Sequence, residues 1–171
     1  LSLYFHLPFC ETLCWFCGCT TVIGGDHSRT KTYLDYLERE IELTRKLLHP
    51  NRKAIQMHFG GGTPNYLAPD EIDRLGGIIN RAFTFCENPE CGVELDPRHL
   101  TREHVEAFAR IGINRASVGI QDFNPDVQKA VNRIQPFDST QQTIAWLREA
   151  GFHSINLDLI YGLPHQDEKT F

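Results

Sequence analysis

Short apolar runs alternate with amphipathic stretches along the whole chain, and this alternation constrains the fold more than any other feature. Residues 2–7, 55–59, 92–96, 115–120 and 154–162 are short runs rich in Ile, Val, Leu and Phe. Between them lie stretches of helical period. Leu34, Leu37, Ile41 and Leu48 share one face of 33–48, and Ile72, Leu75, Ile79 and Phe83 share one stripe of 70–83. Gly76 and Gly77 weaken that second helix by about 1 kcal/mol each. Thr101 is an N-cap for a third helix ending near Gly112, Asn124-Pro125 starts a short fourth, and a fifth covers 139–150 up to Gly151. Strands that alternate with helices pair in parallel through right-handed crossovers. The expectation is an α/β fold with about five parallel strands.

In a βα barrel the chemistry gathers at the C-terminal ends of the strands. The unusual residues of this sequence fall there. Four cysteines follow the first strand, and Gly60-Gly61-Gly62 follow the second. Glu94 and Asp96 end the third, Gln121 follows the fourth, and Asp158 lies in the fifth.

The cysteine run is CETLCWFCGC, in which Cys10, Cys14 and Cys17 have the spacing C-x3-C-x2-C. Three thiolates hold three irons of a cubane and leave the fourth iron without a protein ligand. An open metal position distinguishes a catalytic site from a closed structural one. The amino and carboxylate groups of S-adenosylmethionine can chelate such an iron. The alternative is a zinc site using Cys19 as well. Zinc sites usually pair two knuckles across a long gap, whereas these four cysteines crowd into ten residues. Cys86 and Cys91 lie far from the run and are expected to be inert thiols.

Composition excludes several classes. The 171 residues suit one domain, 41% of them are hydrophobic, and the net charge of −5 comes with no basic block. That argues against nucleic-acid or membrane-surface binding. No apolar run approaches the roughly 20 residues that span a bilayer. Clustered cysteines without a secretory signal point to a reducing, cytoplasmic compartment. The first residue is Leu1, and the last residues follow directly on a motif, so the chain is expected to be a piece of a longer protein.

YFHLPFCETLCWFCGC resembles the signature of the radical-SAM superfamily. Within it, HFGGGTPNYL, VELDPR, SVGIQDFN, VQKAVNR and NLDLIYGLP resemble, in order, the oxygen-independent coproporphyrinogen III oxidase family. The resemblance implies a partial (β/α) radical-SAM barrel over 1–171, with five of six strands present. An N-terminal segment, the last strand and a C-terminal domain would lie outside it. It implies decarboxylation of two propionates of coproporphyrinogen III to vinyls by a 5′-deoxyadenosyl radical. It also implies a [4Fe–4S] cluster, two S-adenosylmethionine molecules, an external reductant and a monomer.

Residue roles follow from the same resemblance. Cys10, Cys14 and Cys17 match the cluster ligands, and Cys19 matches a further cysteine that does not ligate. Tyr4 matches a residue beside S-adenosylmethionine, and Phe16 one near its adenine. Gly61, Gly62 and Thr63 match the loop that meets the methionine amino group. Glu94, Gln121, Arg133 and Asp158 match polar contacts to the two cofactor molecules. Without the resemblance, Glu94 would pass for a solvent-facing strand residue and Arg133 for a surface cation. His6 and His58 read as packed, hydrogen-bonded strand histidines and are left out of the site.

Two neighbouring families offer other readings: a haem chaperone on the same fold, and a haem-degrading radical-SAM methyltransferase. Chaperone relatives typically carry Asp-Phe after the third cluster cysteine, where this chain has Gly18-Cys19.

Overall fold

The computed structural model describes residues 1–169 and 171. The chain opens with β1 (Ser2–Leu7), β2 (Phe9–Cys10), β3 (Val22–Ile23) and α1 (Ser28–Leu47). It continues with β4 (Ala54–Gly61), α2 (Pro69–Ala82), β5 (Phe85–Leu95) and α3 (Arg102–Arg110). It closes with β6 (Arg115–Gln121), α4 (Pro125–Ala130), α5 (Phe137–Glu149) and β7 (Ser154–Leu159). The main sheet has the order β1-β4-β5-β6-β7, and every neighbouring pair is parallel. This is the expected α/β architecture.

Strand alternation gives the sheet two different faces. Phe5 and Leu7, Met57 and Phe59, Val93 and Leu95, and Ala116, Val118 and Ile120 point to one side and are buried there. The helices cover that side with Leu34, Ile72, Leu75, Ile79, Phe108 and Leu147, each fully buried. Each such Leu, Ile or Phe contributes about 1.5–3 kcal/mol by leaving water. The intervening residues face the other way and are polar: Tyr4 and His6, Gln56 and His58, Glu94, Ser117, Asn156 and Asp158. The helix side is thus the core, and the concave side is a wet surface.

Caps fix the helix ends much as the sequence indicates. The Thr101 hydroxyl accepts from His104 N, and the Asn124 side chain accepts from Asp126 N. Gly112 and Gly151 take positive φ just past α3 and α5. Several boundaries differ from the periodicity reading, among them the end of the last strand, which stops at Leu159 and not at 162. Helix α1 begins at Ser28, six residues before its first apolar face residue, Leu34, because Asp26 Oδ1 accepts from Ser28 N and Thr30 bonds His27 O. Strand β5 begins at Phe85 through Asn88-Pro89, at a register shift opposite β4. The short parallel pair of β2 with β3 was not expected; it pins the two ends of the cysteine loop together.

Gly76 and Gly77 separate backbone propensity from packing. A Cβ on Gly76 would lie 2.2 Å from Ile111 Cγ2, so α2 approaches α3 through a missing side chain. A Cβ on Gly77 would meet nothing nearer than Arg81 Nη1 at 3.5 Å. Gly77→Ala is therefore expected to stabilise the fold, by up to about 1 kcal/mol. Gly76→Ala is expected to destabilise it by about 1–3 kcal/mol through overpacking, despite the better helix propensity. Urea denaturation of the two variants checks this, and a Gly76→Ala protein more stable than the parent would contradict the packing.

Candidate functional site

At the C-terminal ends of the strands lies a cleft of about 190 Å³. Eleven of the twelve residues singled out from the sequence line it: Cys10, Cys14, Cys17, Phe16, Gly61, Gly62, Thr63, Glu94, Gln121, Arg133 and Asp158. The twelfth, Tyr4, sits one step down the concave face. Its ring stacks on His58 at 6.1 Å, and its hydroxyl bonds His6 Nδ1. Cys19 also lines the cleft and is exposed beside Cys17.

All six cysteines are free. Cys10 Sγ meets Thr63 Oγ1 at 3.3 Å. Burial pushes the Cys10 thiol up against the lowering effect of the Thr63 hydrogen bond, and the nearby Cys17, Asp96 and Cys14 add to the rise. Iron binding must draw that proton off. Cys14 is buried, and its Sγ accepts from Arg98 Nη2 and Arg133 Nη1, each at 3.5 Å. Among the described residues no three His, Cys, Asp or Glu side chains converge as ligands of one metal ion. A cubane places its thiolates on separate irons, so three cysteines spread along one wall suit a cluster better than a zinc ion. The donor set, with two guanidiniums against the thiolate charge, fits such a cluster.

The glycine loop is shaped by close approach. A Cβ on Gly62 would sit 2.7 Å from the backbone of Pro8 and Phe9, and one on Gly61 would strike the His6 ring at 2.5 Å. Gly62 N and Thr63 N donate to Leu7 O and Phe9 O, which ties this loop to the base of the cysteine loop. Beside it, Glu94 accepts from His58 Nε2 at 3.2 Å and from Gly61 N at 3.4 Å. The His58 hydrogen bond outweighs burial and holds the Glu94 carboxyl below its usual range. An ionised Glu94 is a ready acceptor for a cationic amino group. Asp158 accepts from Ser117 Oγ at 2.7 Å and from Asn156 Nδ2 at 2.6 Å. Gln121 has φ 68, a left-handed conformation that costs a non-glycine residue of order 1–2 kcal/mol. Strain of this kind concentrates at functional sites.

Arg133 is not a surface cation. It is 6% exposed, and it donates to Asp96 Oδ2 at 3.0 Å and Gly119 O at 2.8 Å. Its Nε is buried without a partner, a spare donor at the cleft. Asp96 also binds Arg98 through both carboxylate oxygens, at 3.0 Å from Nε to each and 2.6 Å from Nη2 to Oδ2. The Asn65 amide grips the Asp96 backbone, accepting from its N at 2.9 Å and donating to its O at 3.0 Å. Burial opposes the Asp96 charge, but the Arg98 hydrogen bonds and the Arg133 charge hold the carboxyl below its ordinary value.

Sequence reasoning passed over Arg98, Asn65 and Ser117, and it placed Asp96 at a strand end without a role. The available signal was the DPR run, a second charge straight after a strand-ending acid. His6 and His58 are hydrogen-bonded, as strand histidines usually are. The partner of His58 is Glu94, however, so this histidine supports the site and does not merely pack.

The radical SAM superfamily profile matches residues 4–171. The chain belongs to the radical SAM superfamily. It is 46% identical over 171 residues to the oxygen-independent coproporphyrinogen III oxidase of Synechocystis, and 42% identical over 172 to that of Helicobacter pylori. These alignments cover 100% of this chain but only 37% and 38% of those relatives, so the chain spans little more than a third of their length. The coproporphyrinogen III oxidase of Escherichia coli, described as a radical SAM enzyme, superposes at TM-score 0.95 with 42% identity, over 99% of this chain and 39% of that one. The radical S-adenosylmethionine methyltransferase TsrM of Kitasatospora setae shares the fold at TM-score 0.67 and 14% identity, over 99% of this chain and 32% of that one. The five-stranded parallel sheet is thus part of a radical SAM barrel.

Asp96→Asn would leave Arg98 and Arg133 buried without their counter-charge. The expected loss is about 3–5 kcal/mol in chemical denaturation. The Asp96 contribution is complete above the ordinary aspartate value of 3.8 and is lost as pH falls through the lower folded value. The gap between the parent and Asp96→Asn should therefore close on acidification. A loss below about 1 kcal/mol at neutral pH would contradict the central role of this carboxylate.

Proposed function

We propose that this chain is the cluster-binding catalytic part of an oxygen-independent coproporphyrinogen III oxidase. The observation that carries the reading is the single cleft shared by three cysteines, a glycine loop and four polar strand-end residues. The names of relatives 42% to 46% identical over the whole chain supply the substrate. The Gly18-Cys19 pair speaks for the oxidase over a haem chaperone.

In this reading Cys10, Cys14 and Cys17 hold a [4Fe–4S] cluster, and Tyr4, Phe16, Gly61 to Thr63, Glu94, Gln121, Arg133 and Asp158 together seat two S-adenosylmethionine molecules. When bound, the cluster and S-adenosylmethionine supply a 5′-deoxyadenosyl radical that takes hydrogen from a propionate β-carbon of coproporphyrinogen III. Glu94 contributes a carboxylate, fixed by His58 and Gly61 N, against the methionine ammonium. Thr63 sets its hydroxyl against Cys10 Sγ and would help to orient that thiolate toward the cluster. Arg133 offers its unpartnered Nε and a positive charge to a carboxylate. An external reductant, a monomeric state and a cytoplasmic setting complete the reading. No helix among the described residues is long and apolar enough to cross a membrane.

The test is anaerobic reconstitution of the full-length protein with iron and sulfide, followed by dithionite and S-adenosylmethionine. Formation of 5′-deoxyadenosine is expected. Cluster absorbance should vanish in Cys10→Ala, Cys14→Ala and Cys17→Ala and persist in Cys19→Ala. Adding coproporphyrinogen III should yield vinyl products and CO2. Retention of the metal by the three variants would defeat the cluster assignment. Tight haem binding without CO2 would favour the chaperone.

A further inference from the structure

The three cluster cysteines have unequal surroundings. The only hydrogen-bond partner of Cys10 Sγ among the described residues is the neutral Thr63 hydroxyl. Cys17 lies beside Cys19, another thiol. Cys14 alone faces cations, with Arg98 Nη2 and Arg133 Nη1 both 3.5 Å from its sulfur. These guanidiniums are nearly dry: the side chains of Arg98, Arg133 and Asp96 are 11%, 8% and 7% exposed. Two arginines against one aspartate leave a single positive charge, which falls on Cys14.

Arg98 is also the better fixed of the two donors. Both oxygens of Asp96 clasp its Nε edge, and Asp96 is itself locked by Asn65. That grip sets the guanidinium plane, so Nη1 reaches Thr12 Oγ1 at 3.2 Å while Nη2 reaches Cys14. Arg98 therefore touches the cysteine loop at two points. Arg133 is the arginine expected at the cofactor, so a ligand carboxylate competes with Cys14 for it. Arg98 then remains as the permanent donor.

We propose that Arg98, oriented by Asp96, is a positioning residue that raises the reduction potential of the cluster through Cys14. Hydrogen bonds to cluster sulfurs and local net charge set such potentials. Reduction adds one negative charge to the cluster, and a fixed cation beside a ligating sulfur stabilises the reduced state over the oxidised one. The inference rests on the cluster reading given above.

The test is a potentiometric titration of the reconstituted full-length protein, with electron paramagnetic resonance detecting the reduced cluster. Arg98→Gln keeps a hydrogen-bonding group and removes the charge. It should shift the reduced-to-oxidised ratio at fixed potential at least tenfold toward the oxidised form, about 59 mV for a one-electron couple. Arg98→Lys keeps the charge and should return the ratio to within about threefold of the parent, that is, less than half of that 59 mV shift. An unshifted Arg98→Gln, or an Arg98→Lys shifted as far as Arg98→Gln, overturns the proposal. If Arg98→Gln takes up no cluster, Arg98→Lys decides alone: a full cluster at the parental ratio supports the charge, and an empty or equally shifted protein overturns it. A parent protein that assembles no cluster would refute the proposed function instead, so the two failures are distinct.

Discussion

Parallel pairing of all five strands sends every strand's C-terminal end to the same edge of the sheet, and the rest of the structure depends on that constraint. It brings Cys10 and Asp158, near opposite ends of the chain, into one cleft. It also divides the labour of each strand. Val93 and Leu95 go into the core with the helices, while Glu94 between them goes to the concave side. One strand thus carries both the packing that holds the sheet and a carboxylate that lines the cleft.

The second constraint is electrostatic. Asp96 stands where the end of β5, the loop after α4 and the cysteine loop meet. Its carboxylate binds Arg98 and Arg133, which both donate to Cys14. The loop after α4 is held to the cysteine loop by two further bonds, Asn132 Nδ2 to Leu13 O and Trp15 N to Val131 O. A buried ion triad is a weak source of net stability, since its charges lose their water. Here it fixes three loops in mutual register around Cys14. Breaking it costs far more than replacing it whole would.

The parts legible in the sequence were those with a local signature. Cysteine spacing marks the loop that lines the cleft, hydrophobic period marks the strands and helices, and strand ends in a βα pattern mark where polar residues converge. What stayed hidden depends on distant partners. Arg98 reads as an ordinary surface charge until the fold brings Cys14 to it. Arg133 was flagged only by resemblance, because nothing near it in sequence says that Asp96 and Gly119 will enclose it. His58 looked like a packed residue because its partner Glu94 lies on the neighbouring strand. The start of α1 escaped the period because its first turn carries polar residues, with Asp26 Oδ1 accepting from Ser28 N just before it. Gly76 looked like a weakness in α2, yet Ile111 occupies the space its side chain would need.

The central claim is a four-iron cluster on three cysteines with one iron open to a small molecule. Mössbauer spectroscopy of the isotopically enriched, reconstituted protein addresses it most directly. Adding S-adenosylmethionine should move the signal of a single iron to that of a higher-coordinate, N,O-bound site and leave the other three unchanged. Four irons that all stay unchanged, each thiolate-bound with Cys19 as the fourth ligand, would contradict it.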